Sequence, residues 1–329
     1  MIWSEYIPAA MIAAAIAPSL LLLWLVVAAD SRPEPPLLVV TAFVLGALCV
    51  IAALGVELTL KSIIPVAHNP WLAAGQTGLF IAAIPEETLK ISIIAAIALR
   101  ARLFDEPMDG VVYGAAVGLG FAALENLLYL IAHDDWGSVA LMRGLSSVPF
   151  HGSLGAIAGI YLARARFNGE LGGPRRGHWH RPGLLLMAWL IPVGLHAVFD
   201  AALFSLPNVN VNTPDGDDLT ATILLVAAIA GFGPMIFAML LTRRLGHRQA
   251  AWLRSKRLPA SHWRRVWAEC MLCAGAGLVA LPLMIAGNSM TRLAGGMCLA
   301  IAVRVTRKCG KSLRDAAQQH HMAGTVRSP

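Results

Sequence analysis

The chain has 329 residues, of which 57% are hydrophobic, 14% charged and 7% aromatic, and its mean hydropathy is +0.66. That balance excludes an ordinary soluble domain and intrinsic disorder, and predicts an all-α, polytopic transmembrane helical bundle. The formal charge of +7 does not imply a nucleic-acid partner, because Lys and Arg fall in short loops between apolar runs, where they orient the chain in the bilayer.

Apolar runs of about 20 residues, enough to cross a membrane, occupy residues 7–29, 37–58, 71–99, 108–132, 138–163, 183–206, 219–241 and 266–286. The first has no Lys or Arg before it, which predicts a retained span rather than a cleaved leader. A ninth apolar piece, 293–303, is short for a crossing. The fold class expected is therefore 8–9 spans. By organisation, 1–70 holds two N-terminal helices, 71–206 a four-helix core, 207–303 further helices with a basic loop, and 304–329 a basic tail.

Arg164, Arg166, Arg175, Arg176 and Arg181 share one loop, Asp215, Asp217 and Asp218 the next, and residues 243–265 are densely basic. The positive-inside rule puts the basic loops in the cytoplasm and the N-terminus outside. A ninth crossing would also bring the tail of Arg304, Arg307, Lys308, Lys311 and Arg314 inside. The five cysteines are an odd count without a disulfide pattern, and Cys270 and Cys273 read as small helix residues.

Ionisable groups inside spans cost about 2.5–3.5 kcal/mol each near the bilayer centre, so their presence suggests function. Here Glu86, Glu87 and Lys90 lie in the third span, Glu125 in the fourth, His151 in the fifth, and His196 with Asp200 in the sixth. Counted from the cytoplasmic ends, Glu86, Glu125, His151, His196 and Asp200 fall roughly 12–17 residues in, about 18–26 Å deep, and so form one layer near the midplane. Glu86 and Glu87 are about 100° apart on a helix, while Lys90 shares the face of Glu86 at i,i+4. That spacing makes Glu87 the freer acid. His196 and Asp200, also four apart, suit a shared metal or a hydrogen-bonded pair. Two histidines with nearby carboxylates can hold a divalent ion or support a metal-free general base. Gly114 and Gly118, like Gly155 and Gly159, form small-residue faces for close packing. His178, Trp179 and His180 read as a solvated loop, and His68 and His133 as residues near the outer surface.

The segments IPEETLK from Ile84, DGVVYGAAVGLGFAALENLLYL from Asp109, RGLSSVPFHGSLGAIAGIYLARA from Arg143 and LIPVGLHAVFDAALF from Leu190 resemble the PrsW family of intramembrane proteases, related to the type II CAAX prenyl proteases. The resemblance covers about 71–206. It implies that Glu86, Glu87 and Lys90 form the family's E-E-x-x-K motif and Phe121 with Glu125 its F-x-x-x-E motif. His151 stands at the P-x-H position, and His196 with Asp200 forms the final H-x-x-x-D. The expected activity is peptide-bond hydrolysis. Glu86 and Glu87 supply the base, Glu87 by preference. His151 and His196 stabilise the oxyanion or hold a metal, with Glu125 and Asp200 orienting them or joining the ligand set. The divalent ion expected is zinc, with a metal-free mechanism as the alternative.

Water must reach this layer, so a polar cavity bounded by the third to sixth spans is expected. Substrates are membrane proteins or lipidated peptides in the bilayer, because a site at this depth excludes folded soluble chains. The composition, rich in Ala, Leu and Arg, points to a bacterium, and the resemblance to a family common in bacteria implies the bacterial cytoplasmic membrane. A proton- or cation-coupled transporter would also place Glu, His and Asp at mid-depth, and a non-catalytic membrane scaffold could keep the same fold.

Overall fold

The architecture, seen in a computed structural model, is described for residues 9–30, 34, 36–100, 104–167, 181–209 and 216–255. The expected spans at 266–286 and 293–303, the basic tail and the His178–His180 triplet lie outside the described residues. Helices follow the apolar runs, and local capping sets where they begin. After α1 (Ala9–Ala29) and α2 (Pro36–Ile63), the Asn69 side chain accepts from the backbone N–H of Trp71 at 2.9 Å and of Leu72 at 3.1 Å. Pro70 follows it where no N–H is required, and α3 (Pro70–Gln76) starts there. Gln76 fixes the approach by accepting from Ala67 N at 3.0 Å and donating to the Pro65 carbonyl at 2.8 Å.

Helical backbone continues from α3 through a π-helical stretch, Thr77–Ala83, into α4 (Ile84–Ala98). The remaining helices are α5 (Asp109–Ala132), α6 (Trp136–Leu145), α7 (Ser147–Phe167), α8 (Pro182–Ser205) and α9 (Gly216–Ser255). Every regular element among the described residues is helical. Four stretches are long and apolar enough to cross a membrane: Pro36–Ile63, Asp109–Ala132, Pro182–Asn208 and Thr222–Ala251. The chain is thus an all-α, multi-pass membrane protein.

Two expected spans differ in form. The run at 138–163 is not one helix: it divides at Ser146 into α6, which buries no residue, and α7, which is buried along nearly its whole length. Asp135 caps α6 by accepting from Ser138 N. Gly144, Ser146, Ser147 and Pro149 supply the weak helix formers at the junction, and Pro149 sits in the first turn of α7, where its missing N–H costs nothing. The seventh run extends beyond 241, because α9 continues through Arg243, Arg244 and Arg248 to Ser255, with Leu245 and Gln249 buried.

The centre of the bundle is the α5–α7 pair. α1 and α2 pack on α5, while α8 and α9 pack on α7, and α4 touches α2, α5, α7 and α8. Glycine makes the central approach possible. A Cβ at Gly114 would strike the Gly155 carbonyl, and one at Gly118 would strike the carbonyl of His151. The Gly118 contact therefore sets the height of His151 against α5.

Candidate active site

The π-helical stretch carries the paired acids to α8. Gly78 lies so close that a Cβ would come within 2.9 Å of Ala201 N and 3.2 Å of Asp200 Cβ. That approach stands Glu86 and Glu87, at the start of α4, beside His196 and Asp200. Lys90, one turn further on and fully buried, donates to Glu87 Oε1 at 2.8 Å and to Glu86 Oε2 at 3.0 Å. Its Nζ also lies 3.0 Å from His151 Nδ1 and 3.7 Å from the centroid of the Phe121 ring. One ammonium thus joins α4 to α5 and α7.

Each imidazole is held at both nitrogens. His151 Nε2 lies 3.1 Å from Glu125 Oε2. His196 Nδ1 lies 2.8 Å from Glu87 Oε1, and its Nε2 is 3.3 Å from Asp200 Oδ2 and 3.9 Å from Glu86 Oε2. The two rings meet edge-on with centroids 5.3 Å apart, and Phe150 packs against both. Beyond them opens a cavity of about 890 Å³. Glu86, Glu125, His151, His196 and Asp200 line it together with apolar residues such as Leu54, Ile81, Phe204 and Phe232.

All eight residues singled out from the sequence meet at this centre, but in a different arrangement from the one expected. Glu87 is not the freer acid: Lys90 bonds both carboxylates, Glu87 also holds His196, and only Glu86 of the two reaches the cavity wall. Side-chain exposure is 8% for Glu86 and 1% for Glu87. The i,i+4 rule missed this because a long lysine side chain reaches i−3 as readily as i−4.

The close donor set also differs from His151, His196, Glu125 and Asp200. Glu86, Glu87, His151 and His196 each offer a ligand atom, and these atoms lie within 4.8 Å of one another. Glu125 and Asp200 instead bond the far nitrogens of the imidazoles. Along the helices, His151 lies about 6 Å from the start of α7, Glu125 about 10 Å from the end of α5 and Asp200 about 8 Å from the end of α8. The cavity walls also include α2, through Val50 and Leu54, and α9, through Leu224 and Phe232, besides the third to sixth runs.

Sequence reasoning missed Arg143, Asn126 and Ser147. Arg143 Nη2 donates to Glu125 Oε2 at 2.6 Å and to Ser147 Oγ at 3.0 Å, and its Nε donates to Asn126 Oδ1 at 2.7 Å. A signal was available: Arg143 is the sole Lys or Arg between Arg102 and Arg164, near the end of the 138–163 run that the charge rule assigns to the outside.

The donor chemistry fits a divalent cation. Four carboxylates, on Glu86, Glu87, Glu125 and Asp200, face two permanent cations, Lys90 and Arg143. With neutral imidazoles, two negative charges remain in excess, and buried charge is costly unless compensated. A neutral His196 can donate to one of its two carboxylate partners, not both. Glu87 Oε2 is buried without a hydrogen-bond partner. Two imidazoles and two carboxylates are a ligand set suited to zinc-type coordination.

Residues 34–232 match the family described as PrsW family intramembrane metalloprotease. The Protease PrsW of Bacillus subtilis (strain 168) is 34% identical over 200 residues, covering 60% of this chain and 85% of the relative. The Protease PrsW of Geobacillus kaustophilus is 31% identical over 196 residues, covering 59% and 80%. That of Oceanobacillus iheyensis is 29% identical over 192 residues, covering 58% and 82%. No solved structure is a significant match. The matched region reaches α2 and the first half of α9, both of which wall the cavity, and it favours hydrolysis over the transporter and scaffold readings. The chain belongs to the PrsW family of intramembrane metalloproteases, and it is an intramembrane endopeptidase.

Proposed function

We propose that Glu86 is the general base, taking a proton from a cavity water as that water attacks the scissile carbonyl carbon, and then returning the proton to the leaving amide nitrogen. The observation that carries this reading is the position of Glu86 on the cavity wall while Glu87 is sealed behind it. Lys90 holds Glu86 by a 3.0 Å ion pair and stabilises its carboxylate between turnovers. Glu87 and Asp200 orient His196, and Glu125 orients His151. Phe121 closes the site over Lys90 and keeps water from the ion pairs. The two imidazoles, engaged at all four nitrogens, wall the site beside the cavity.

Of the close donor set Glu86, Glu87, His151 and His196, Glu87 and the two histidines would hold the family's metal and leave Glu86 free as the base, and we assign zinc on the mixed nitrogen and oxygen donors. When bound, such an ion supplies Lewis acidity to the carbonyl and acidifies water.

Substrates in this reading are membrane-embedded proteins or lipidated peptides. The cavity suits a short apolar stretch, since an intact helix is about 10–12 Å wide. Residues 71–206 form the catalytic core, α2 and α9 complete its walls, and 207–303 and 304–329 add helices and a basic tail. The protein crosses a bacterial cytoplasmic membrane 8–9 times with its N-terminus outside and its C-terminus inside. The site then lies in the outer half of the bilayer, opposite Arg164, Arg166 and Arg181.

The test compares membrane-protein N-termini in cells expressing wild type or Glu86→Gln at matched levels. New N-termini within or beside spans, present only with wild type, support the assignment. Identical profiles under several stresses would remove Glu86 from the mechanism.

A further inference from the structure

Four carboxylates line the cavity, and three of them are held by the site. Lys90 holds Glu86, His196 lies against Asp200, and Arg143 with His151 engages Glu125. The fourth is Glu57 of α2. Val50, Leu54, Glu57 and Lys61 recur at helical spacing along the one face of α2 that the cavity exposes. Glu57 stands about 9 Å from the end of its helix, much as Glu125 and Asp200 stand on α5 and α8, so the three acids share one layer. The charges of Glu125, Asp200 and His196 act on Glu57, and the strongest attraction comes from Lys61 one turn on. Lys61 is exposed, however, and among the described residues Glu57 forms no hydrogen bond or ion-pair contact with it or with any other group.

In the open cavity, water solvates that half-buried carboxylate. A peptide that enters displaces the water, and a carboxylate stripped of water without gaining a cation is costly. A lysine or arginine side chain on the peptide offsets the loss with a charge-assisted hydrogen bond. An aspartate or glutamate at the same place meets like charge from Glu57, Glu125 and Asp200. We propose that Glu57 is a specificity-determining residue that receives a lysine or arginine side chain of the substrate, a few residues from the scissile bond, and turns away acidic ones. This rests on the peptidase reading, in which substrate occupies the cavity. The apolar wall around Glu57 then takes the rest of the segment, so the preferred substrate is an apolar stretch interrupted by one basic residue.

The probes are labelled Leu/Ala transmembrane peptides of about 20 residues, each with a single Lys, Gln or Glu scanned along the apolar stretch. Binding is measured with the full-length chain in lipid nanodiscs, in a Glu86→Gln background where nothing is cleaved. At the best position, Lys should bind about 10–100-fold more tightly than Glu. Adding Glu57→Gln should bring that ratio within about threefold, and Glu57→Lys should invert it. On a substrate found by the N-terminal comparison, kcat/KM should follow the same order as one flanking residue is changed to Lys, Gln or Glu. The Gln version should be cleaved within about threefold by wild type and Glu57→Gln. Melting temperature checks folding, and if Glu57→Lys does not fold, Glu57→Gln decides. A Lys-over-Glu ratio unchanged in Glu57→Gln, a ratio lost in Lys61→Gln instead, or no charge preference in the parent protein overturns the inference. Failure of the peptidase reading would abolish cleavage of every version and leave the binding ratios standing.

Discussion

Replacing Lys90 with Met removes the cation that two carboxylates share. Lys90 is fully buried, lies 2.8 and 3.0 Å from Glu87 and Glu86, and faces His151 Nδ1. Methionine fills similar volume, so the change is chiefly in charge. Breaking a buried pair by removing one partner costs about 3–5 kcal/mol, because the other partner is left uncompensated. That corresponds to a fall in melting temperature of at most about 6–20 °C, taking the roughly 2–4 °C per kcal/mol that holds for 150–250 residues. Adding Glu87→Gln then removes one stranded charge while keeping its shape. The double variant should recover about 0.5–3 kcal/mol relative to the sum of the single changes. The assay is thermal unfolding in one detergent, followed by tryptophan fluorescence for wild type, both single variants and the double. Strict additivity, or a Lys90→Met cost below about 1 kcal/mol, would refute the shared-ammonium account.

Gly118→Ala should cost about 1–3 kcal/mol, because the new methyl meets the His151 carbonyl across a backbone contact that cannot yield cheaply. Gly55→Ala, with nothing within 4 Å of the new atom in the interior of α2, should keep or raise stability by up to about 1 kcal/mol and serve as the control. Elemental analysis of purified protein should find about one zinc per chain, and His196→Ala should lose most of it while Cys49→Ser keeps it; equal zinc in both would contradict the ligand assignment. In a cysteine-free background, cysteines at Leu54 and Ile81 on the cavity wall should react with small aqueous thiol reagents. One at Ala158, fully buried on α7, should not; the opposite pattern would mean that water enters elsewhere.

Much of this arrangement was legible because a bilayer penalises charge. Glu86, Glu87, Lys90, Glu125, His151, His196 and Asp200 stood out as expensive residues in apolar runs, and their meeting around Lys90 follows from the same cost: buried charges seek partners. Gly114 and Gly155 were readable as a close helix contact for the converse reason, since only small residues let backbones touch. Three features were not legible. The break at Ser146 falls among weak helix formers and goes with the contacts of Arg143 to Glu125, Asn126 and Ser147, whereas overall hydropathy made 138–163 look continuous. The roles of Glu86 and Glu87 turn on which of them reaches the cavity and which holds His196, tertiary contacts that helical-wheel spacing does not contain. The contributions of α2 and α9 to the cavity are tertiary facts, because apolar wall residues look the same in a sequence as residues facing lipid.

The most direct measurement is the cleavage rate of one identified substrate in proteoliposomes by wild type, Glu86→Gln and Glu87→Gln, with folding checked by melting temperature. If Glu86 is the base, Glu86→Gln should lose about 10²–10⁴-fold in kcat with its melting temperature near that of wild type. Glu87→Gln should lower stability as well as rate, since it weakens the ties to Lys90 and His196. A folded Glu86→Gln protein that cleaves within about tenfold of wild type would contradict the account.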